Sequence, residues 1–302
     1  MAGGAHGRKD GEMRFVAADG RASLVRGGAV FDVAECSGGA IPADPMLVLR
    51  DHWDDLAALA LAGEGRPLGE VTLGAPVPRP PLILSLIANY PPAGKSGFPM
   101  IVGKAPSAVT GPYEEIVLPD PRRLPLGRAY VIAEPELAVV TRAAGRHLSA
   151  DAARSAIAGY AVAQDITERV HEFGPSPSPW TWENLPAKTL GKSIDTFCPL
   201  GPALVTPDEA TAGALEKRCW INGELTHHQQ HDDMLWSPAE LVALVSCFAT
   251  LQAGTVLLCG AGSRLDGRPP PGLAAGDVIR TEIAGVGVIE NRCRNESGSM
   301  HT

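Results

Sequence analysis

Short runs of β-branched and other apolar residues, broken by Gly, Pro or Asp, fill most of the chain from residue 82 onwards. Runs of this length and composition predict β-strands. Two segments have helical signals instead: 149–158, which stops at Gly159, and 238–251, which follows Ser237 as an N-cap. The pattern predicts a mainly β fold with a few helices, of the α+β class. The predicted strands lie in 82–90, 114–119, 128–140, 159–169, 201–206, 219–225, 255–260 and 277–293.

The first 80 residues have a different pattern. Residues 13–33 cluster β-formers around Asp19-Gly20 and Gly27-Gly28, which are hairpin signals. After Asp44-Pro45, apolar residues fall at helical spacing as far as Gly63, which predicts an amphipathic helix of about four to five turns. A proline-rich stretch at 74–84 then reads as a linker. We therefore predict a small N-terminal domain, 1–78, and a larger domain, 79–296.

Net charge and cysteine content limit the possible binding partners and the cellular compartment of the protein. The formal net charge is −8 and the pI is near 5.5, so nucleic acid and anionic membrane are poor partners. The six cysteines include no CxxC pair, and a polar N-terminus lacks the apolar core of a signal peptide. These features predict reduced thiols in a cytoplasmic protein that does not cross a membrane.

Common nucleophile and phosphate motifs are missing. The chain has no G-x-S-x-G elbow. The segments 94–96 and 191–193 both read Gly-Lys-Ser, but neither has the earlier glycine of a phosphate-binding loop. The turn at 260–262 lacks the further glycine and the strand-to-helix setting that dinucleotide binding needs. The chemistry must therefore come from another set of residues.

Acidic residues in predicted strands give the first positive indication. Glu134 and Glu136 are two apart, so a strand places both carboxylates on one face. Three arrangements reconcile such close like charges: a hard divalent cation, protonation of one carboxylate, or pairing with Lys or Arg. Asp165 lies within another, otherwise apolar strand, where a buried carboxylate needs a positive partner.

Six ordered blocks make the chain resemble the fumarylacetoacetate hydrolase family over about residues 82–293. The resemblance implies a mixed β-sandwich or β-roll catalytic domain, a homodimer, and Mg²⁺ or a related ion (Mn²⁺ or Ca²⁺) held by Glu134, Glu136 and Asp165. It also implies catalytic roles for Lys192 and Arg169 and substrate contacts from Tyr90, Lys104 and Arg169. The blocks are 88–90, 103–108, 134–140, 159–169, 191–202 and 222–224.

The chain also departs from this family pattern. Where hydrolases of the family carry a water-activating His–Glu dyad, this sequence has Ala93 and Ser96. The block that follows Asp165 continues as Arg169-Val170-His171-Glu172, and the family's Thr-Gly-Thr-Pro turn is replaced at 258–262. The substrate contacts must therefore differ from those of other members.

A histidine cluster offers possible replacements for the dyad. His227, His228 and His231 follow an Asn-Gly-Glu turn, where we expect a loop near the mouth of the site rather than a helix. Zinc binding, a replacement base or substrate contact, and a solvated loop all remain open for this cluster. We take His171 and His231 as candidate bases, and His227 as a candidate substrate contact.

These observations favour a divalent-metal enzyme that acts on the carbon skeleton of a β-dicarbonyl or 2-oxo acid. Hydrolytic cleavage needs a base that delivers water, whereas decarboxylation or keto–enol isomerisation needs mainly electron withdrawal by a cation and a proton donor. Because the dyad is missing, both classes of reaction remain open. The rival interpretation is a non-catalytic relative that binds a small molecule or a partner. Complete retention of the carboxylate trio favours the enzyme.

Overall fold

Strands make up most of the regular structure in the computed structural model, which describes residues 13–92, 99–125, 127–169, 185–210 and 215–297. The strands are β1 (Arg14–Ala18), β2 (Arg21–Arg26), β3 (Ala29–Asp32), β4 (Arg66–Pro67), β5 (Leu73–Gly74), β6 (Ile83–Ile87), β7 (Met100–Lys104), β8 (Val109–Thr110), β9 (Ile116–Leu118), β10 (Val131–Ile132), β11 (Pro135–Thr141), β12 (Ile157–Gln164), β13 (Thr167–Glu168), β14 (Cys198–Val205), β15 (Glu216–Ile221), β16 (Glu224–Gln230), β17 (Val256–Leu258), β18 (Val278–Ile283) and β19 (Gly287–Asn295). The α-helices are α1 (Val33–Cys36), α2 (Pro45–Leu47), α3 (Ala150–Ser155), α4 (Leu185–Lys192), α5 (Pro207–Ala210) and α6 (Pro238–Phe248). The predicted fold class, mainly β with a few helices, is confirmed.

Two large sheets form the framework. One runs β4-β3-β2-β1-β14-β12-β11-β17-β6-β7, with β5 added beside β1 and β8 beside β14. The other runs β16-β15-β18-β19-β9, and a small pair joins β10 to β13. Most pairs are antiparallel, but β17–β6, β14–β8 and β19–β9 are parallel, so the sheets are mixed. Strand β12 lies against β18 and β19 of the second sheet, which gives the layered arrangement predicted for the larger domain.

The centre of the large sheet is buried on both faces. Every residue of β11 and β12 is buried, and the two strands pair antiparallel with Glu136 opposite Ala163. Alternate residues of β11 enter two different apolar clusters, with Ala138 in one and Val139 in the other. Because side chains alternate across a strand, this division means that both faces of the sheet are covered. Charged side chains at the ends of these strands are therefore held in a dry setting.

The N-terminal strands belong to the same sheet as the central ones. β1 pairs antiparallel with β14, with Phe15 opposite Leu204. The ring of Phe15 is fully buried and meets Trp53 edge-on, with 5.5 Å between ring centroids. The linker at 74–84 thus separates segments of sequence that share one sheet, and the division into domains 1–78 and 79–296 stays a prediction.

Helix signals located three helical segments but not all of their ends. The segment after Asp44 is helical from Pro45, yet it changes to a π turn (Val48–His52) and then to a 3₁₀ turn (Asp54–Ala58), so it is shorter and less regular than predicted. Helix α3 stops at Ser155 because Ile157 already belongs to β12. Helix α6 has the expected Ser237 cap, completed by Glu240 in a capping box.

Two features were not predicted correctly. The prediction of a loop at the histidine cluster is wrong. His227 and His228 lie on β16, which pairs with β15, and His231 begins a 3₁₀ turn. No prediction covered the strands β4, β5, β7 and β8 or the helices α1, α4 and α5. In the part of the chain that the structure describes, no helix is both long and apolar enough to cross a bilayer.

Candidate active site

A cavity of about 300 Å³ opens where the ends of several elements meet. Its walls come from the end of β6 and the segment after it, the start of β11, the end of α4 and the turn after β17. The cavity is at the small end of the usual range for ligand sites, so it suits a small molecule. Its lining residues are Leu86, Ile87, Ala88, Tyr90, Pro92, Glu134, Glu136, Lys192, Ala261, Gly262 and Ser263.

Glu134 and Glu136 both reach this cavity, as their spacing predicted. Glu134 lies in the bend just before β11 and is partly exposed, whereas Glu136 is buried within the strand. The backbone N–H of Gly260 donates to Glu136 Oε2 at 2.5 Å. Burial, and then the negative charge of Asp165, raise the pKa of Glu136 above its ordinary value. A positive charge nearby is what lets such a carboxylate stay ionised.

Lys192 supplies a positive charge at the cavity wall. Its Nζ donates to Glu134 Oε2 at 3.1 Å, to Asp165 Oδ2 at 2.5 Å and to Thr167 Oγ1 at 2.9 Å. Burial alone would lower the pKa of Lys192, but the charges of Asp165 and Glu134 outweigh it and raise the pKa. The ammonium therefore stays protonated, which suits it to stabilise developing negative charge rather than to accept a proton.

Asp165 is the fully buried anion behind Lys192. Its Oδ2 also accepts a hydrogen bond from Ser85 Oγ at 2.5 Å, and Oδ1 lies 3.0 Å from Lys104 Nζ without receiving a hydrogen bond of good geometry. Burial would raise the pKa of Asp165, but the charges of Lys192 and Lys104 lower it to about 2. The positive partner that its apolar strand required is thus a pair of lysines.

Lys104 is directed into the protein and does not line the cavity. Its Nζ donates to the carbonyl oxygens of Ile166, Lys192 and Phe197, with 3.1 Å to the first and 2.8 Å to the last. These bonds use all three of its protons. In this structure Lys104 holds the backbone around Asp165 and Lys192, which differs from the substrate contact predicted for it.

Of the other predicted residues that the structure describes, Tyr90 lines the cavity, but three do not. His227 is almost fully buried and bonds through Nδ1 to Thr226 Oγ1 at 3.0 Å, and burial, followed by the charges of Lys217 and Arg264, lowers its pKa to about 3. His231 is half-buried, and burial lowers its pKa too. Arg169 bonds through its backbone N–H to Tyr130 O. None of these three side chains lines the cavity.

Three positions of interest lie outside the described residues. They are His171, the second candidate base, and Ala93 and Ser96, which stand where the dyad was expected. Conversely, the structure adds Ser85 and Thr167 to the site, which the sequence analysis did not name. Ser85 had a detectable signal, since it is a single polar residue in the apolar run 82–87, like Asp165 in its own strand.

Comparison with known proteins agrees with this arrangement. The model of the fumarylacetoacetate hydrolase C-terminal domain matches residues 84–294. The chain belongs to the fumarylacetoacetate hydrolase family. Oxaloacetate tautomerase FAHD2B, mitochondrial, of Bos taurus is 37% identical over 237 residues, which cover 75% of this chain and 70% of the relative. The 2,4-didehydro-3-deoxy-L-rhamnonate hydrolase of Sphingomonas sp. (strain SKA58) is 33% identical, covering 77% of this chain and 78% of the relative.

A solved structure extends the comparison to the whole fold. Maleylpyruvate hydrolase from Sphingobium sp. SYK-6, crystallised with manganese(II) and pyruvate, superposes with a TM-score of 0.73 at 26% identity, covering 94% of this chain and 100% of that one. These family members are enzymes, a tautomerase and two hydrolases, and their reactions concern small oxo acids. The bovine relative is named as mitochondrial, so the cytoplasmic location stays a prediction.

The donor chemistry of the family site is preserved in part. Within the described ranges, no three Asp, Glu, His or Cys side chains converge tightly enough to bind one metal ion. Lys192 lies between Glu134 and Asp165 instead. Nevertheless, Glu134 and Glu136 face the cavity, and the buried Asp165 Oδ1 has no hydrogen bond. An all-oxygen set of carboxylates fits a hard divalent ion, so Glu134, Glu136 and Asp165 remain its predicted ligands.

A second, larger cavity lies in the N-terminal segment, away from the family residues. It measures about 410 Å³, and its charged walls are already engaged, since Arg21 pairs with Asp32 and Arg66 pairs with Asp19. By size alone this cavity would rank above the first. The smaller cavity is the better candidate active site, because carboxylates and an ammonium converge on it.

Proposed function

We propose that this chain is a divalent-metal-dependent enzyme that interconverts the keto and enol forms of a small 2-oxo acid of the oxaloacetate type. The observation that carries the proposal is the position of Lys192. Its ammonium lies at the wall of a cavity of about 300 Å³, fixed by Glu134, Asp165 and Thr167. A fixed positive charge beside a small polar cavity is suited to an oxyanion.

The residues around the cavity have different roles in this proposed reaction. Ser85, Thr167 and Lys104 fix Asp165 and Lys192, so the ammonium needs little reorganisation when negative charge develops on the substrate. A divalent ion on Glu134, Glu136 and Asp165 would withdraw electrons from the oxo group. Tyr90 and the turn at 261–263 enclose the opposite side of the cavity and limit the size of the substrate.

The relatives support this class of reaction. A tautomerase is 37% identical over three quarters of this chain, and enolisation needs no activated water. Hydrolysis of an acylpyruvate is the second candidate, because two of the relatives compared are hydrolases. Among the described residues that line the cavity there is no histidine to serve as a base for water. Decarboxylation of the same oxo acid needs only the electron-withdrawing part of the machinery.

The decisive experiment follows the ultraviolet absorbance of enol-oxaloacetate as it converts to the keto form, with Mg²⁺ or Mn²⁺ present. We expect the chain to accelerate this conversion and Lys192→Met to reduce kcat by about 10²–10³-fold, because the fixed positive charge that stabilises the oxyanion electrostatically is lost. Lys188→Met is the matched control. It removes a buried lysine one turn earlier on α4 that does not line the cavity, and it is expected to keep the activity.

Parallel assays distinguish the alternatives. Release of pyruvate from oxaloacetate would assign decarboxylation. Cleavage of an acylpyruvate in ¹⁸O-labelled water, with label in the acid product, would assign hydrolysis. If the metal-loaded chain accelerates none of these reactions, the enzyme proposal fails and the non-catalytic binding protein takes its place. The homodimer also stays a prediction, and sedimentation at micromolar concentration tests it.

A further inference from the structure

Lys217 is a buried cation that the proposed reaction does not use. Strand β15 alternates, with Lys217, Cys219 and Ile221 facing inward and their neighbours half-buried. Lys217 is 2% exposed, although lysine is almost never this buried without a partner of opposite charge. Within the described part of the chain it forms no ion pair. A buried charge of this kind must be stabilised by other groups.

Backbone carbonyls and an aromatic ring provide this stabilisation. Lys217 Nζ donates to Gly260 O at 3.0 Å and to Ala261 O at 2.7 Å. The same atom lies 4.6 Å from the centre of the Tyr90 ring, within cation–π distance. The ammonium therefore connects the turn after β17 to the segment after β6.

These partners are parts of the cavity wall. Tyr90 and Ala261 line the cavity, and Gly260 donates its N–H to Glu136 Oε2 at 2.5 Å. Gly260 is thus held from two sides, by a carboxylate at its N–H and by an ammonium at its C=O. Its backbone has a φ of +92°, and a Cβ there would lie 2.9 Å from Asn89 Cβ, so the turn has little room to shift.

We propose that Lys217 is a positioning residue for the active site: it fixes the Gly260–Ala261 turn that orients Glu136, and it holds Tyr90 as the facing wall. A core-facing leucine or methionine would fill the same position on β15 without these bonds. The turn at 258–262 is also where the sequence departs from the family pattern, so Lys217 supports a wall that this chain has rebuilt. The kinetic part of the proposal rests on the proposed oxo-acid reaction.

The test combines a local spectroscopic probe with kinetics. The chain has four tyrosines, so 3-fluorotyrosine labelling gives a simple ¹⁹F NMR spectrum, and Tyr90→Phe assigns the Tyr90 signal. We expect Lys217→Met to shift the Tyr90 signal and leave the signals of Tyr113, Tyr130 and Tyr160 in place. With oxaloacetate, kcat/KM should fall at least tenfold, with most of the loss in KM, and Lys217→Arg should restore part of it.

Arg218→Met is the matched control, because Arg218 is the next residue of β15, faces outward and pairs with Glu216 at 2.7 Å. It should change neither the Tyr90 signal nor kcat/KM. The proposal is overturned if Lys217→Met leaves the Tyr90 signal unchanged, if it leaves the kcat/KM of an active enzyme unchanged, or if all four tyrosine signals move together. If Lys217→Met does not fold, Lys217→Gln, which keeps one donor, replaces it in the same comparison. Failure of both to fold would overturn the proposal, since the lysine would then serve the core.

The two proposals fail separately. The ¹⁹F comparison requires no turnover, so a wild-type chain without oxo-acid activity rejects the proposed function and leaves Lys217 to be judged by the Tyr90 signal alone. Turnover in wild type that is unchanged in Lys217→Met rejects only the positioning role.

Discussion

At the scale of single residues, burial decides which ionisable groups can act. Lys192 and His227 are both almost fully buried, but their pKa values move in opposite directions. Lys192 has the carboxylates of Asp165 and Glu134 against its ammonium, so its charge is favoured. For His227, burial and then the nearby cations Lys217 and Arg264 disfavour the charge. At neutral pH the first is therefore a cation and the second a neutral ring.

His227 should make stability depend on pH in a specific window. Burial lowers its pKa to about 3 in the folded chain, whereas an unfolded histidine titrates near 6.5. Between these values the unfolded chain binds a proton that the folded chain does not, so the free energy of unfolding falls as pH falls from about 6.5 towards 3. The contribution of this one group is at most about 1.4 kcal/mol per pH unit.

Urea unfolding of wild type and His227→Gln at several pH values measures this contribution. The difference in stability between the two chains should change with pH below about 6.5 and stay constant above it. A constant difference over the whole range would contradict the neutral state of His227. Histidine NMR signals offer a second measurement, in which the His227 ring should not titrate between pH 5 and pH 8.

At the scale of elements, sequence pattern predicted what depends on local composition. β-Branched and apolar residues fill the central strands of the large sheet, β6, β11, β12 and β17, so these strands were found. The helix caps at Ser149 and Ser237 were found because they act locally. Helix α4, which carries Lys192, was missed. It contains Pro186 and Gly191, residues that normally indicate a break in a helix.

The convergence of elements could not be predicted from pattern. Ser85 meets Asp165 from 80 positions away, and Lys192 meets it from 27 positions away. Only the family resemblance assigned Glu134, Glu136, Asp165 and Lys192 to one site. The same resemblance named Lys104 as a substrate contact, whereas in this structure its protons all go to backbone carbonyls. Sheet register and the packing of long side chains determine such details, and neither is encoded in a short motif.

The turn after β17 allows a test at this scale. Gly260→Ala and Gly276→Ala both place a side chain on a backbone with positive φ, +92° and +96°, so both incur the strain of about 1–2 kcal/mol that L-residues have there. Only at position 260 does the new Cβ meet another group, Asn89 Cβ, at 2.9 Å. We expect Gly260→Ala to lose a further ~1–3 kcal/mol of stability, the usual cost of overpacking.

Urea midpoints of the two variants, with equal m-values, measure the difference. Gly260→Ala should also reduce turnover, because Gly260 N–H is the donor to Glu136 and Asn89 precedes Tyr90. Equal destabilisation of the two variants would mean that Asn89 moves aside freely, and the rigid wall inferred for the cavity would then be wrong.

At the scale of the whole molecule, one sheet unites both halves of the sequence. The pairing of β1 with β14 and the packing of Phe15 against Trp53 place N-terminal residues in the same apolar cluster as Leu204 and Ala138. Unfolding of the N-terminal segment alone would expose an edge of β14 and much of this cluster. We therefore expect a single cooperative urea transition, coincident by far-ultraviolet circular dichroism and tryptophan fluorescence.

Phe15→Ala tests this coupling directly. Truncation of a fully buried Phe typically costs about 3–5 kcal/mol. If the chain is one cooperative unit, the midpoint of the whole transition should move to a lower urea concentration and the transition should remain a single step. A variant that unfolds in two steps, with the second at the wild-type midpoint, would instead support two independently stable domains divided near residue 78.

The last prediction concerns a divalent ion and the stability of the whole chain. Glu134 and Glu136 face the cavity, and Asp165 lies next to them across Lys192, so the folded chain gathers carboxylates that the unfolded chain does not hold together. A ligand that binds only the folded state stabilises it by about 2.7 kcal/mol when its concentration is 100 times Kd. For a chain of 302 residues, 1 kcal/mol raises Tm by roughly 1.5–2 °C.

We therefore expect Mg²⁺ or Mn²⁺ at 100 times Kd to raise the Tm of chelator-treated protein by about 4–5 °C, and calorimetric titration to give one ion per chain. Glu136→Gln should abolish both the Tm shift and the calorimetric binding signal, because it removes the anionic ligand. The substitution keeps the shape of the side chain. Glu290→Gln is the control, since Glu290 is an exposed carboxylate on β19, outside the cavity. An equal Tm shift in wild type and Glu136→Gln would place the ion elsewhere on the chain, and no shift in wild type would mean that the carboxylates serve only to hold Lys192.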